Sequence, residues 1–512
     1  MRFRSYGQTE DAANLSGDPT FGGMDSFTDS RVLRPGFVKE AQNLRVEQGR
    51  FVTRPALRPL VSGPIANDAL AGLVGGAGIA TTFFTPDKLI SYTGTIGSPF
   101  DYPLGTTLSV ADRPYAIQAY NRMICFRKTG RPIEWDGSGA PSLKPSQPDN
   151  PGSGVEACPD SPFGLWIANR LVVRDGAQKD AVIVSDDNQS NDFHRESSEF
   201  IMGAGSGDEV RALLPFMENQ VIVFMRHSVH LISTIHSPTN STVTEITRQH
   251  GCLGPRCVAQ SGPNSYFLSD AGLYALTPQS DPSKGLSVAI TKTVGETIPM
   301  SRAIKPLFAR INMDDTVVDQ YKLVVHDNKL HCLVALDGAT APRHVLIFDL
   351  ILNAWVSLDS YGFDINDIFS GIDPGTNLST LFITSGVNLY KLTGTDGIDQ
   401  LVDGTSQPVN CELTTRSYTF GPSLISRFNR AAAEIEGETG TTLTISATME
   451  NPDLDFNVRP LGSLADERQA RFRIRRRGQA CSLKFSTAGQ FKLRAITVEG
   501  VPDKVRRTAD VN

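Results

Sequence analysis

A chain of 512 residues, 40% hydrophobic and 20% charged with a formal charge of −6, is ordinary globular composition and too long for one compact core. The longest uncharged stretch, residues 69–86, carries four glycines and a proline, short of the ~20 apolar residues of a membrane helix. Seven scattered cysteines (125, 158, 252, 257, 332, 411, 481) argue against a disulfide framework and for synthesis in a reducing cytoplasm, and the first residues lack the apolar core of a secretory signal. Charge is distributed unevenly: residues 459–507 hold thirteen basic and four acidic residues, whereas 61–458 carry a net −16. Such asymmetry concerns partners and association more than fold.

Residues 1–60 are expected to form an extended arm with one hairpin, NLRVEQGRFVTR, turning at Glu47-Gln48-Gly49, before two Arg-Pro steps that force extended backbone. From 61 to 404 the same pattern recurs: a short apolar strand, a tight polar or glycine turn, a second apolar strand. Copies are NRLVVRDGAQKDAVIVS (169–185), NQVIVFMRHSVHLIS, NSYFLSDAGLYALT, QYKLVVHDNKLHCLVAL (320–336), HVLIFDLILNAWVSL (344–358) and STLFITSGVNLYKLTG (379–394). Hairpins repeated without intervening helices predict a β-propeller of six to eight blades. The Pro/Ser/Gly/Asp-rich stretch 137–154 predicts an exposed loop, and IPMSRAIKPLFARI (298–311) a helix weakened by Pro306. From 405 to 512, at least five segments alternate at period two, predicting a small β-sandwich or jelly-roll-like domain. The chain is therefore expected to be all-β in three parts: arm 1–60, propeller 61–404 and C-terminal domain 405–512.

Candidate chemistry is sparse. Ser269-Asp270-Ala271-Gly272 resembles part of a sialidase Asp-box, but it is solitary and is better read as a hairpin turn. Residues 186–192 (DDNQSND) alternate oxygen side chains as a calcium loop does, yet lack its glycine and terminal glutamate. His227, His230, His236, His250, Cys252 and Cys257 crowd within a short span, but His227 and His230 are an odd number apart and face opposite ways on a strand. No nucleophile elbow or phosphate-cradling loop occurs, so neither catalysis nor a cofactor or metal is expected. The one concentrated patch is ARFRIRRRG (470–478). At strand period Arg471, Arg473 and Arg475 share a face, with Arg476 and Arg477 following. Two readings stay open: charges that blunt a sheet edge, or a surface that docks on carboxylates of a neighbouring subunit or adaptor.

The order of motifs resembles a known family. VIVFMRHSVHLIS followed by TEITRQHGCLGPRCVAQSGPNSYFLSDAGLYAL is similar to the central segment of the tail nozzle (tail tubular protein B) proteins of short-tailed phages, related in architecture to the packaged-DNA stabilisation protein. NLRVEQGRFVTRPALRPL (43–60) looks like that family's N-terminal signature and FKLRAITVEGVPDKVRR (491–507) like its last strand. The resemblance implies a structural virion protein, made in the bacterial cytoplasm. It would form a hexameric ring below the portal and adaptor, contacting tail fibres or spikes. The ring would retain packaged double-stranded DNA and conduct it at ejection, with an acidic wall that repels phosphate. The alternative readings are a tail-tip polysaccharide depolymerase and a receptor-binding propeller.

Overall fold

The computed structural model describes residues 14–502 apart from 62, 66–70, 75–80, 93–99, 105, 109–112, 138, 204, 282–284, 291–296, 374, 421–424, 438–441, 450–455 and 462–467. The fold is all-β, and seven four-stranded antiparallel sheets stand in a ring. Blades 1 to 6 are local meanders whose inner strands are Ala71–Val74, Tyr115–Ala119, Gly164–Ile167, Val210–Phe216, Val258–Ser261 and Lys322–His326. Blade 7 is composite. Asp367–Ile372, Ser379–Ser385 and Asn388–Gly394 are completed by Ala56–Pro59, antiparallel to Asn388–Gly394. Each inner strand touches the next, and Asp367–Ile372 touches Ala71–Val74, so the ring closes at seven blades.

The hairpins read from the repeats are the middle strands of blades 3, 4, 5 and 7 and the first and last pairs of blade 6. The turns of two of them use left-handed residues, Asp327 with Asn328 and Gly386, and Ala168 with Asn169 does the same between the first two strands of blade 3. Residues such as Val172, Val182, Ile222, Val223, Phe267 and Ile347 are buried between neighbouring blades.

The 1–60 segment is divided between two bodies instead of standing apart as an arm. Asn14–Asp18 pairs with the last strand, Phe491–Pro502; Leu44–Glu47 and Arg50–Thr53 form the expected hairpin, with Gln48 and Gly49 at positive φ, and join the same sheet. Ala56–Pro59 belongs to the propeller. The reason is apolar content: Phe21, Met24, Val38, Leu44 and Phe51 are too many to leave in water, and all are at most 3% exposed. Gly23–Met24 and Phe37–Gln42 splice the outer strand of blade 6, Ala354–Ser360, to Asn410–Thr415, so one ten-stranded sheet runs from propeller into C-terminal domain. Against it packs the six-stranded sheet of Asn14–Asp18, Leu44–Glu47, Arg50–Thr53, Phe491–Pro502, Ser426–Gly437 and Arg468–Gly478. Together they form a sandwich with Leu413, Ile445, Leu483 and Phe485 facing Ala433, Phe472, Leu493 and Val498.

Arg–Asp pairs fasten these parts, those of Arg45 and Arg54 out of solvent. Arg45 makes a two-pronged contact with Asp359 at 2.5 and 2.8 Å, Arg54 another with Asp399 at 2.6 and 3.1 Å, and Arg58 meets Asp396 at 2.6 Å. Asp18 accepts from Gly36 N, Arg416 Nε and the Tyr418 hydroxyl at 2.7–2.9 Å. The predicted helix is present only as a 3₁₀ turn, Met300–Ile304, and one α turn, Lys305–Phe308, in whose first turn Pro306 is tolerated. The 137–154 stretch is mostly exposed, but Ser142–Leu143 completes blade 2 and Lys144 is buried, its Nζ on Glu134 Oε2 at 2.5 Å and Ser190 Oγ at 2.6 Å.

Candidate functional site

The arginine strand Arg468–Gly478 lies at the edge of the six-stranded sheet. It is paired with Ser426–Gly437 on one side and with no described strand on the other. Alternation holds where the sequence placed it: Arg471 and Arg473 are exposed, while Phe472 and Ile474 turn into the sandwich core. Arg475 then has φ 49°, and the register slips opposite Phe428–Arg430. This bulge breaks the alternation, so Arg475, Arg476 and Arg477 are all exposed. The neighbouring strand adds charge of the same sign: Arg477 lies opposite Arg427 and Arg473 opposite Arg430, a placement that costs a few tenths of a kcal/mol unless anions relieve it. Arg430 obtains that relief from Glu499.

A second concentration of charge was not visible in the sequence. Each blade's inner strand starts at the same face of the ring, and the turns between second and third strands end there. The residues at those points line a cavity of 530 Å³: Arg113 and Lys128 from blade 2, Arg174 and Lys179 from blade 3, Arg211 from blade 4, with Asp160, Glu209 and Asp319. Its apolar lining is Pro162, Phe163 and Pro255. Arg211 reaches Glu209 at 2.5 Å and Asp319 at 3.7 Å, Arg174 reaches Glu209 at 3.6 Å, and Lys128 reaches Asp319 at 3.5 Å. Desolvation lowers the Arg174 pKa below the usual guanidinium value, with Glu209 opposing it. Gln320 links this cluster to the next: its side chain accepts from Arg113 at 3.3 Å and its carbonyl from Arg256 at 3.2 Å. Arg256 and Lys322 share the buried Asp367 at 3.1 and 2.8 Å. Burial lowers the Lys322 pKa against the pull of Asp367, and raises that of Tyr115 to about 12 against the pull of Arg256. The acidity of 61–458 is therefore not concentrated at this mouth, which is cationic. The signal was positional: Arg113, Arg211, Arg256 and Lys322 all stand within two residues of the start of an inner strand.

The remaining sequence candidates serve turns and loops. Ser269 donates to Asp270 at 3.0 Å in a hairpin closed by Gly272, where a Cβ would sit 2.4 Å from Pro299. In the 186–192 segment, Asp192 accepts from the backbone of Asp149 and Asn150 and Asn191 donates to Gln147, so its polar groups hold the preceding loop. His230 is buried against Ser228 at 3.0 Å while His227 is exposed; His236 pairs with Asn219. Cys252 and Cys257 lie in the core between blades 4, 5 and 6, and burial raises the Cys252 thiol to about 12.

No family model matches the chain, and no curated protein does. Similar solved structures include the extracellular domain of the putative hybrid two component system BT4673 from B. thetaiotaomicron, at 11% identity and TM-score 0.41, covering 86% of this chain and 63% of that one. A catalytically inactive virginiamycin B lyase from Staphylococcus aureus with quinupristin is 11% identical at TM-score 0.40, covering 66% and 98%. YCF48 from Cyanidioschyzon merolae is 9% identical at TM-score 0.38, also covering 66% and 98%.

Proposed function

We propose that this chain is a structural, non-enzymatic subunit of a short-tailed phage tail, of the nozzle type. Copies form a hexameric ring below the portal and adaptor that retains packaged double-stranded DNA and conducts it at ejection, with fibres or spikes attached outside. The observation that carries this reading is the arginine edge. Five guanidiniums, reinforced by Arg427 and Arg430 on the adjacent strand, stand exposed on a strand that no described strand pairs with on its outer side. Like charges set side by side favour carboxylate partners, and the acidic 61–458 body of a second copy, or an adaptor, offers them. The mouth carboxylates Glu209 and Asp319 are each engaged by two cations, an ion-pairing arrangement and not an acid–base pair.

Light scattering of the purified protein and peptide mapping of virions test the proposal together. The expected results are an oligomer in solution and peptides of this chain in the particle. A monomer absent from virions overturns it, and cleavage of host capsule or lipopolysaccharide by the pure protein moves the assignment to a depolymerase.

A further inference from the structure

On the face of the ring away from the cationic mouth, two aromatic rings meet at the seam of blades 2 and 3. Tyr120 and Asn121 form the two-residue turn between Tyr115–Ala119 and Arg122–Phe126, the first two strands of blade 2. Tyr120 has φ 52°, a left-handed position that hairpins ordinarily give to glycine or asparagine. Its ring centre lies 4.9 Å from that of Trp166, on the inner strand of blade 3, with the planes at 59°. The phenol hydroxyl donates to Asn188 Oδ1, which fixes the ring across the seam. Were Tyr120 only a lid on Trp166 it would be buried, yet it is 51% exposed. The two rings line a cavity of 530 Å³ whose other walls are largely polar. Asn121 is exposed there and Gln189 half-buried, and the carboxamide of neither hydrogen-bonds a described residue.

We propose that this cavity binds a sugar, one pyranose face stacked on Tyr120 and Trp166. A pyranose presents C–H groups on its face and, at its rim, hydroxyls that each donate and accept. Aromatic rings suit the face, and carboxamides, which carry a donor and an acceptor side by side, suit the rim. The volume admits a mono- or disaccharide. A nucleic acid strand would stack bases on the same rings. Its phosphates, however, would meet Asp149 in the lining, Asp187 on Asn188 at 3.3 Å, and an Arg122 whose charge Glu134 already balances. Sugar binding at this seam is independent of how copies of the chain assemble.

The test is the intrinsic fluorescence of the full chain. Trp135 and Trp355 are buried, so a change on adding ligand reports Trp166. The probes are the methyl glycosides of glucose, galactose, mannose, rhamnose and N-acetylglucosamine, each added singly to about 50 mM, a range that covers millimolar sites. A saturable change with at least one is expected. Tyr120→Gly, which keeps the left-handed turn and removes the ring, weakens it about tenfold or more, whereas Tyr120→Phe stays within about threefold. Gln189→Ala, outside the turn, weakens it about threefold or more and keeps the test valid should Tyr120→Gly disturb the hairpin. Arg473→Gln on the distant sandwich changes nothing. No saturable response to any glycoside, or one that Tyr120→Gly and Gln189→Ala both retain, overturns the proposal. A Tyr120-dependent response to oligothymidylate or oligoproline in place of the glycosides also overturns it, in favour of nucleic acid or peptide. Every one of these results leaves the assembly reading untouched.

Discussion

Replacing Arg45 by methionine removes the partner of a carboxylate that has no exposure of its own. Asp359 lies on the outer strand of blade 6, Arg45 on the N-terminal hairpin, and their two contacts join propeller to sandwich. Burial opposes ionisation of Asp359, but the charge and hydrogen bonds of Arg45 overcome it and hold the carboxyl below its ordinary range. Without Arg45 the carboxylate keeps Ser357 Oγ at 2.9 Å and the Tyr361 hydroxyl at 3.3 Å, too little to compensate a buried charge. Two routes give the cost. Breaking a buried pair by removing one partner costs about 3–5 kcal/mol. Alternatively Asp359 protonates, which from an ordinary pKa near 4 costs at most about 4 kcal/mol at pH 7. The expected loss is therefore about 3–4 kcal/mol. It carries a pH signature: the variant's folded pKa at Asp359 lies above the unfolded one, so the deficit against the parent shrinks by up to about 1.4 kcal/mol per unit as pH falls from 7. Arg45→Met with Asp359→Leu should recover most of the loss, because no charge is then stranded. Urea unfolding followed by the fluorescence of buried Trp355, on the same strand as Asp359, measures all three. A single-variant deficit under about 1 kcal/mol, or one independent of pH, refutes the reasoning.

Arg471→Glu with Arg473→Glu should abolish oligomer formation by mass photometry, while thermal unfolding of the monomer shifts by less than about 0.5 kcal/mol-equivalent, since both side chains are exposed. A chain beginning at Val61 lacks the fourth strand of blade 7, three strands of the six-stranded sheet and two of the ten-stranded one; circular dichroism and limited proteolysis should show it unfolded. All seven cysteines are free and buried, and burial raises those at 158, 252, 332, 411 and 481 to about 12, so thiol reagents should label the protein only as fast as it opens. Glu134, Asp175, Asp359 and Asp373 all have lowered pKa values: burial raises each, but Lys144, Arg195, Arg45 and Lys391 respectively prevail. Their stabilisation is complete above the unfolded values near 4 and is lost as pH falls through the lower folded ones, so the melting temperature should hold to about pH 5 and drop below it.

The propeller was legible because its signal is local. A tight turn between two apolar strands leaves its pattern within about fifteen residues, as in 320–336 and 379–394. The blade number was not, because the inner strands are short: Ala71–Val74 and Gly164–Ile167 each span only four residues. The role of 1–60 was hidden by distance. Asn14–Asp18 finds its partner at 496–500, and Arg45, Arg54 and Arg58 find theirs at 359, 399 and 396, separations that no local period reports. The arginine edge could be read down to its exposed face, but the bulge at Arg475 depends on register with Phe428–Arg430 and could not. The mouth cluster was missed for a related reason: its residues are scattered from 113 to 319 and meet only when the ring closes.

The account stands most directly on an end-on averaged electron-microscope view of the isolated protein. Six-fold rings with an open lumen, built from six copies of the 55.5 kDa chain, are the predicted result. Single seven-bladed discs, or three-fold spikes, contradict it.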